Sequence, residues 1–316
     1  MSSNNRGRRS GSRSQVNVLV AYAATMLVCL LLFGSIALYL LDRFVTAPAE
    51  QSGEELSAVT EDETGETDYS FARQTVLFVG AGSEDINAMA ILRILPDEGK
   101  ILIVPVSKYT LSSAGGASGT LLELYSSGGM TFLKQAVESS FGVECSRYVK
   151  ISDGGWKSLV EYLGGTSTYS FPEELLYKNQ ETGELTSFSQ GSATRTLWGD
   201  DIRRIVTYPL YSDGERTRLQ VVWEIGVSLL NSAFLTNSEN IKSNLTSIFN
   251  TIFNNSDTDI TSPRFREVSP AYEYMLDSFD SPASYRLPKG VWNESGYFEV
   301  SSDFPDELRE YFMLNE

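Results

Sequence analysis

Histidine is absent from the 316 residues of this chain, and cysteine occurs only twice. Without histidine, the chain has no Ser-His-Asp triad, no histidine general base and no histidine metal ligand. The two cysteines are Cys29, which lies in a long apolar run, and Cys145. We therefore expect neither an intrachain disulfide nor a cysteine-rich metal site.

Basic residues are also scarce, because 25 Lys and Arg stand against 41 Asp and Glu, and the formal net charge is −16. Five of the basic residues and one of the acidic residues lie before residue 44, which leaves 20 basic and 40 acidic residues in the remainder. Such a surface repels phosphates, so we expect no nucleic-acid partner. An anionic ligand needs a local group of cations instead.

Charged residues are missing altogether from residues 14–41. A helix over residues 16–41 reaches roughly 39 Å, which exceeds the ~30 Å hydrocarbon core of a bilayer. The apolar region of a cleaved signal peptide is shorter, at about 7–15 residues. A buried helix of a soluble protein rarely runs this far without a charge. We predict a single transmembrane helix over residues 16–41, with the lipid bilayer as its partner.

The charges that flank this run predict the orientation and the domain organisation. Arg6, Arg8, Arg9 and Arg13 precede it. Asp42 and Arg43 follow it, and residues 45–70 are then rich in acids and free of bases. Positive residues favour the cytoplasmic side. We predict a basic cytoplasmic tail (1–15), the transmembrane helix (16–41), a disordered acidic linker (42–70) and an extracellular domain (71–316). The protein is then a single-pass protein of the cell membrane.

Beyond residue 70, short apolar runs alternate with segments of helical periodicity. Pro96-Asp97-Glu98-Gly99 separates two apolar runs, which predicts a β-hairpin. Alternating strands and helices are typical of an α/β fold with a central mixed β-sheet flanked by helices. The predicted strands are 75–80, 88–95, 100–106 and 147–151, and the predicted helices are 119–140 with a break at Gly128-Gly129, 156–163, 219–234 and 241–253.

Three segments in this order resemble the LytR-CpsA-Psr family of bacterial cell-envelope proteins. They are residues 88–110, residues 153–165 (DGGWKSLVEYLGG) and residues 213–220. The resemblance implies an α/β domain that transfers a polyprenyl-pyrophosphate-linked glycopolymer onto peptidoglycan. It also implies arginines at the pyrophosphate, Mg²⁺ held by aspartates, and a tunnel for the lipid tail between the sheet and its helices.

The chain departs from the family pattern at most of the charged positions. Where the family has arginine, lysine or aspartate, this chain has Asp85, Asn87, Val106, Ser107, Thr120, Pro209 and Tyr211. The last motif survives in part, since Asp213, Arg216 and Gln220 match it. Leu219 replaces its second arginine, with Arg218 adjacent. Losing three or four charge-assisted hydrogen bonds, each contributing about 1.5–3 kcal/mol, predicts a pseudoenzyme.

The remaining candidates for a catalytic role are Asp213, Arg216 and Arg218. An equally good interpretation places Asp213 at the N-cap of a helix, with Arg216 as its solvated partner. We expect no cofactor, and Mg²⁺ only if the transferase activity is retained.

The apolar positions of the predicted helices supply candidates for lipid binding. We predict that Leu121, Leu122, Tyr125, Leu133, Val137 and Leu159 contact a polyprenyl or other lipid chain, with Ile91, Phe132, Val160 and Leu163 in the wider lining. The alternative is that the same side chains pack into a closed core.

The sequence therefore predicts a membrane-anchored, extracellular, non-catalytic relative of the glycopolymer transferases that binds a lipid or a cell-wall protein. Two alternatives stay open: an active transferase with a rearranged site, and an unrelated type II membrane sensor or adhesin.

Overall fold

A computed structural model describes residues 68–82, 85–166, 168–192 and 195–314. The predicted cytoplasmic tail, the predicted transmembrane helix and nearly all of the predicted linker lie outside these residues. The described part begins with a short 3-10 turn, Ser70–Ala72, followed at once by the first strand. The predicted α/β class is confirmed for this part of the chain.

The strands are mostly short, and six of them form the central sheet in the order β11-β6-β1-β2-β3-β12. β1 is antiparallel to β2 and parallel to β6, so the sheet is mixed, as predicted. The strand bounds are β1 Gln74–Ala81, β2 Ile86–Leu95, β3 Lys100–Pro105, β4 Leu111–Ala114, β5 Ala117–Thr120, β6 Arg147–Ser152, β7 Ser170–Phe171, β8 Leu175–Lys178, β9 Leu185–Phe188, β10 Gly191–Ser192, β11 Ser256–Thr258, β12 Ala283–Tyr285, β13 Gly290–Trp292 and β14 Phe298–Val300.

Helices cover both faces of this sheet. The helix bounds are α1 Leu121–Phe141, α2 Asp153–Leu163, α3 Gly199–Val206, α4 Gly214–Ser243, α5 Leu245–Asn254, α6 Ser262–Ser278 and α7 Phe304–Tyr311. Thr120 caps α1 through a reciprocal capping box with Glu123, which gives a structural role to a position where the family has lysine. The predicted break in α1 is confirmed at Gly129, whose backbone leaves the helical region with φ 62°.

Alternation along the strands divides the core into two parts. Leu77 and Val79 of β1 face a core that contains α1 and α7. Val76 and Phe78 face the opposite side, where α2, α4, α5 and α6 lie. Successive side chains of a strand point to opposite faces, so one strand contributes to both cores. The candidate site lies entirely on the second side and at the edge where β1 ends.

Candidate functional site

An apolar cavity of about 340 Å³ lies between the central sheet and helices α2, α4, α5 and α6. The strands contribute the side chains that alternate onto this face, and the helices contribute leucines, isoleucines and phenylalanines. Gln74, Thr258, Arg264 and Tyr272 are polar residues in its lining. The main apolar lining residues are Val76, Phe78, Leu92, Ile94, Ile103, Leu159, Leu163, Leu230, Leu245, Ile248, Phe249 and Ile252.

The size and lining of this cavity fit an apolar ligand. Binding pockets in proteins typically measure about 300–1,000 Å³. Each methylene group that leaves water for such a cavity contributes about 0.8 kcal/mol. A chain of about ten buried methylenes therefore gains about 8 kcal/mol, which is comparable to the cost of about 4–15 kcal/mol for the freedom lost on binding.

A small pocket, which we call the throat, lies beside the cavity, and three aromatic side chains are among the residues that line it. The ring of Phe78 lies 5.7 Å from that of Trp156 and 6.2 Å from that of Trp223, measured between centroids. The throat holds about 40 Å³ and shares these three residues with the cavity. It also shares Asn87 and Val206 with a second, polar space.

This second space, the polar cleft, measures about 420 Å³. It lies where β1 ends and β2 begins, beside the residues that follow β3. The segment between α3 and α4 closes its other wall. Its lining residues are Asp85, Ile86, Asn87, Lys108, Tyr109, Val206, Thr207, Tyr208, Pro209, Tyr211, Gly214, Glu215 and Arg218.

Arg218 and Glu215 form a bidentate ion pair in the wall of this cleft. The Arg218 Nε and Nη2 atoms donate to Glu215 Oε2 and Oε1 at 2.5 and 2.6 Å. The two side chains are only 12% and 11% exposed. Arg218 Nη1 also donates to the carbonyl oxygens of Asn87 and Val206, at 2.6 and 3.3 Å. Burial opposes the charge of Arg218, but its hydrogen bonds with Glu215 leave the net pKa raised.

The second cation of the cleft is paired as well. Lys108 Nζ lies 2.5 Å from Asp85 Oδ2, and the lysine side chain is largely buried while the aspartate is half exposed. Among the described residues that line the cleft, Lys108 and Arg218 are the two cations, and Asp85 and Glu215 are the two acids. The formal charges of the cleft lining therefore cancel, and no excess of positive charge attracts an anion.

The structure separates the three predicted catalytic candidates. Asp213 and Arg216 stand at the start of α4, outside the cleft lining, with their side chains 69% and 70% exposed and 3.7 Å apart. Asp213 occupies the N-cap position but makes no side-chain capping bond. Arg218 alone lines the cleft. Sequence reasoning did not find Glu215, although its i,i+3 spacing from Arg218 is the signal of a helical ion pair.

The structure also divides the predicted lipid-binding residues. Leu159 lines the apolar cavity, and so does Leu163 of the wider set. The other five lie in or against the core on the opposite face of the sheet, where α1 packs: Leu121, Leu122, Tyr125, Leu133 and Val137. Leu121, Leu133 and Val137 are fully buried there. These three therefore pack in the closed core, Leu122 and Tyr125 are only partly buried against it, and the candidate lipid site moves to the face of α2.

Two further features of the described residues bear on the sequence predictions. Among them, no group of three or more Asp, Glu, Cys or His residues is arranged to hold a metal ion. One described helix, α4, is long and apolar enough to cross a bilayer by length and composition. This helix packs within the domain through residues such as Val221 and Ile225, so it does not test the span predicted at residues 16–41.

Comparisons with known proteins agree with this architecture. The sequence model of the LytR_cpsA_psr family matches residues 81–301, which include the cleft and most of the residues that line the throat and the cavity. A comparison with curated proteins finds no match.

Several solved structures share the fold. A Eubacterium siraeum protein aligns with a TM-score of 0.67 and 16% identity, covering 79% of this chain and 96% of its own. TagV of B. subtilis aligns with a TM-score of 0.59 and 15% identity, covering 77% of this chain and 96% of its own. TagT bound to LIIa-WTA aligns with a TM-score of 0.57 and 14% identity, covering 79% of this chain and 93% of its own.

Proposed function

The chain belongs to the LytR-CpsA-Psr family, and we propose that it is a non-catalytic, lipid-binding member anchored in the membrane of a bacterial cell. The observation that carries the proposal is the apolar cavity, beside which the aromatic throat shares lining residues with both the cavity and a cleft whose cations are already paired. The cavity supplies the means to hold a long apolar chain. Among the described residues of its lining, the cleft has no cation without an acidic partner, and pyrophosphate chemistry needs such a cation.

The lipid part of the proposal rests on the cavity and on the related fold of TagT, which has been solved with LIIa-WTA bound. The family resemblance points to a polyprenyl chain as the ligand. In this chain the tail would lie among Phe78, Leu159 and Ile252, with its head directed through the throat toward the cleft. Most of the binding free energy then comes from burial of the tail.

The non-catalytic part rests on electrostatics. Stabilising the charge that develops in a phosphoryl transfer needs arginine, lysine or a metal ion that is free to contact the phosphates. Arg218 and Lys108 are engaged by Glu215 and Asp85 instead. A phosphate group that enters the cleft meets two carboxylates as well as two cations.

A matched pair of tryptophan substitutions tests the location of the lipid. Leu159→Trp places an indole inside the cavity and should reduce the lipid that co-purifies with the full chain by about tenfold or more. Leu122→Trp makes the same change on the opposite face and should leave the bound lipid unchanged. Native mass spectrometry after exchange into a lipid-free detergent measures both, with circular dichroism to check that each variant is folded.

Two outcomes would contradict the proposal. A wild-type chain that carries no lipid, or two variants that lose it equally, would show that the cavity is not the lipid site. Transfer of a polyprenyl-pyrophosphate-linked glycopolymer onto peptidoglycan by the purified chain, lost in Arg218→Gln, would favour the active transferase.

Membrane anchoring is part of the same proposal and follows from the arginines that precede residues 16–41. We expect protease added to intact cells, after digestion of any wall, to remove the domain and leave a small membrane-bound stub. A domain protected until the membrane is opened would contradict this orientation. A protein partner in the cell wall stays a prediction of the sequence.

A further inference from the structure

The Glu215 carboxylate occupies the place at Arg218 where a phosphate group would otherwise bind. The Nε and Nη2 atoms of Arg218 donate to Glu215, and Nη1 donates to two backbone carbonyls, so the pair of donors that would hold a phosphate bidentately is committed to Glu215. Carboxylate and phosphate compete for the same pair of parallel N–H donors of arginine. A ligand phosphate must therefore displace Glu215 before it can form this bidentate contact with Arg218.

Displacing Glu215 is unfavourable for a second reason. Ser107 Oγ donates to Glu215 Oε1 at 3.0 Å, which ties the carboxylate to the end of β3. Both members of the ion pair are almost fully buried, and an unpaired charge in such a place is strongly destabilising. The displaced carboxylate would also lie close to the incoming phosphate in the same cleft, where the two negative charges repel each other.

A hydroxyl group meets no such barrier. An ionised carboxylate offers about four lone-pair sites to hydrogen-bond donors. Glu215 receives three donors in this structure, from Arg218 Nε, Arg218 Nη2 and Ser107 Oγ. The remaining site can accept a hydrogen bond from an uncharged O–H without disturbing the ion pair.

We propose, building on the lipid-binding function above, that Glu215 is the specificity-determining residue of the cleft. It satisfies Arg218 in place of a phosphate and restricts the cavity to amphiphiles with an uncharged head group, such as a long-chain polyprenol. Asp85 acts in the same way on Lys108 at the other side of the cleft. The chain then selects against the pyrophosphate form of a lipid that its cavity would otherwise accept.

The first test uses inorganic pyrophosphate and the full chain in a neutral detergent. Glu215→Gln keeps the shape of the side chain and frees the Arg218 charge, so pyrophosphate should raise the melting temperature of this variant and not that of the wild type. Asp213→Asn is the matched control, because it removes the same charge from the start of α4, outside the cleft. A rise of equal size in Asp213→Asn would show a bulk charge effect and overturn the proposal.

The second test compares a polyprenol with the polyprenyl pyrophosphate of the same chain length. The wild type should bind the alcohol at least as tightly as the pyrophosphate. Glu215→Gln should gain about tenfold to a hundredfold in affinity for the pyrophosphate alone, as expected for one or two recovered charge-assisted hydrogen bonds. That gain should fall with rising salt and vanish when Arg218→Gln is added.

Asp85→Asn gives an independent route if Glu215→Gln does not fold. Asp85 is half exposed, so its removal should not unfold the domain, and it frees Lys108 to give a smaller gain for pyrophosphate. If neither folded variant gains affinity for pyrophosphate, the proposed role of the two acids is wrong, while the lipid-binding proposal is unaffected. Failure of every variant to bind either lipid would instead refute the proposed function, and the inorganic pyrophosphate experiment would still decide the role of Glu215.

Discussion

Asn87 donates a hydrogen bond from its side-chain Nδ2 to Asp153 Oδ1 at 3.2 Å, which links the start of β2 to the first residue of α2. The amide is the residue that the chain has where the family has aspartate, and here it faces a carboxylate. Magnesium requires several oxygen ligands in near-octahedral geometry, and a side-chain NH₂ group is not a ligand.

We therefore predict that MgCl₂ at millimolar concentration does not raise the melting temperature of the full chain above that in NaCl of equal ionic strength. A metal that bound only the folded state would raise it by mass action. A rise specific to magnesium and abolished by Asp153→Asn would show that the acids around Asn87 form a metal site.

The buried pair Glu215–Arg218 predicts a large effect on stability. Glu215→Ala leaves the Arg218 charge without its partner, and breaking a buried ion pair in this way costs about 3 kcal/mol or more. Asp213→Ala removes an exposed acid two residues away and should change the free energy of unfolding by less than about 0.5 kcal/mol. Urea unfolding of the two variants measures the difference. Equal losses would mean that Glu215 is not held by Arg218.

The strands β1, β2, β3 and β6 and the helices α1, α2, α4 and α5 could be predicted from the sequence because local patterns determine them, whereas the remaining strands and helices were not predicted. The apolar runs at β1 and β3 are flanked by turn residues, and the hairpin turn ends at Gly99, which adopts φ +62°. The break in α1 was visible at Gly128-Gly129. These features depend on residues close together in the chain, so no knowledge of the tertiary structure was needed.

The side of the sheet that holds the cavity could not be predicted in the same way. Leu133 and Leu159 both lie on apolar faces of amphipathic helices, yet Leu133 is fully buried in one core and Leu159 lines the cavity on the other side. Periodicity identifies the face of a helix that is buried. Periodicity does not show which face of the sheet the helix packs against, or how closely it packs.

The pairing of the cleft cations with acids could not be predicted from the sequence, because it depends on tertiary contacts. Arg216 and Arg218 are two residues apart, and the sequence favours Arg216 because it matches the family motif, but helical geometry turns Arg216 to solvent and Arg218 into the cleft. Lys108 meets Asp85 across 23 residues. Such long-range pairs leave no periodic signal, so the neutralised cleft could only be seen in three dimensions.

The β2–β3 turn has no room for a side chain at Gly99. Its φ is +62°, and a Cβ atom added there would lie 2.2 Å from Phe279 Cδ1. Gly99→Ala should destabilise the domain by about 3 kcal/mol, from the left-handed backbone and the overpacking together. Gly183 has a similar φ of +72° but no atoms within 4 Å of the added Cβ, so Gly183→Ala should cost only about 1 kcal/mol. Thermal unfolding of both variants separates the two effects, and equal losses would show that Phe279 moves aside freely.

The hydrogen bonds that Asp201 accepts at the start of α3 predict that the domain loses stability in acid. It is 4% exposed and accepts hydrogen bonds from Arg195 and Arg204 at 2.5–2.6 Å and from the Trp198 backbone N–H at 3.2 Å. Burial opposes its charge, but these donors outweigh burial and lower the pKa of Asp201 below the ordinary value of an aspartate. Because the folded-state pKa is the lower one, the stabilisation is present above about pH 4 and is lost as the pH falls below that value.

Replacing this carboxylate should remove that part of the acid sensitivity. Asp201→Asn keeps the size of the side chain but loses the charge that faces the two arginines. We expect it to lower the free energy of unfolding at pH 6 by about 2 kcal/mol, less than for a fully buried pair because Arg195 is half exposed. As the pH falls below about 4, the gap between the variant and the wild type should narrow, because the wild-type carboxylate becomes protonated. Urea midpoints of both proteins, measured from pH 6 to pH 2.5, give this difference in stability. A difference that stays constant over the range would show that Asp201 stabilises the domain by its shape and not by its charge.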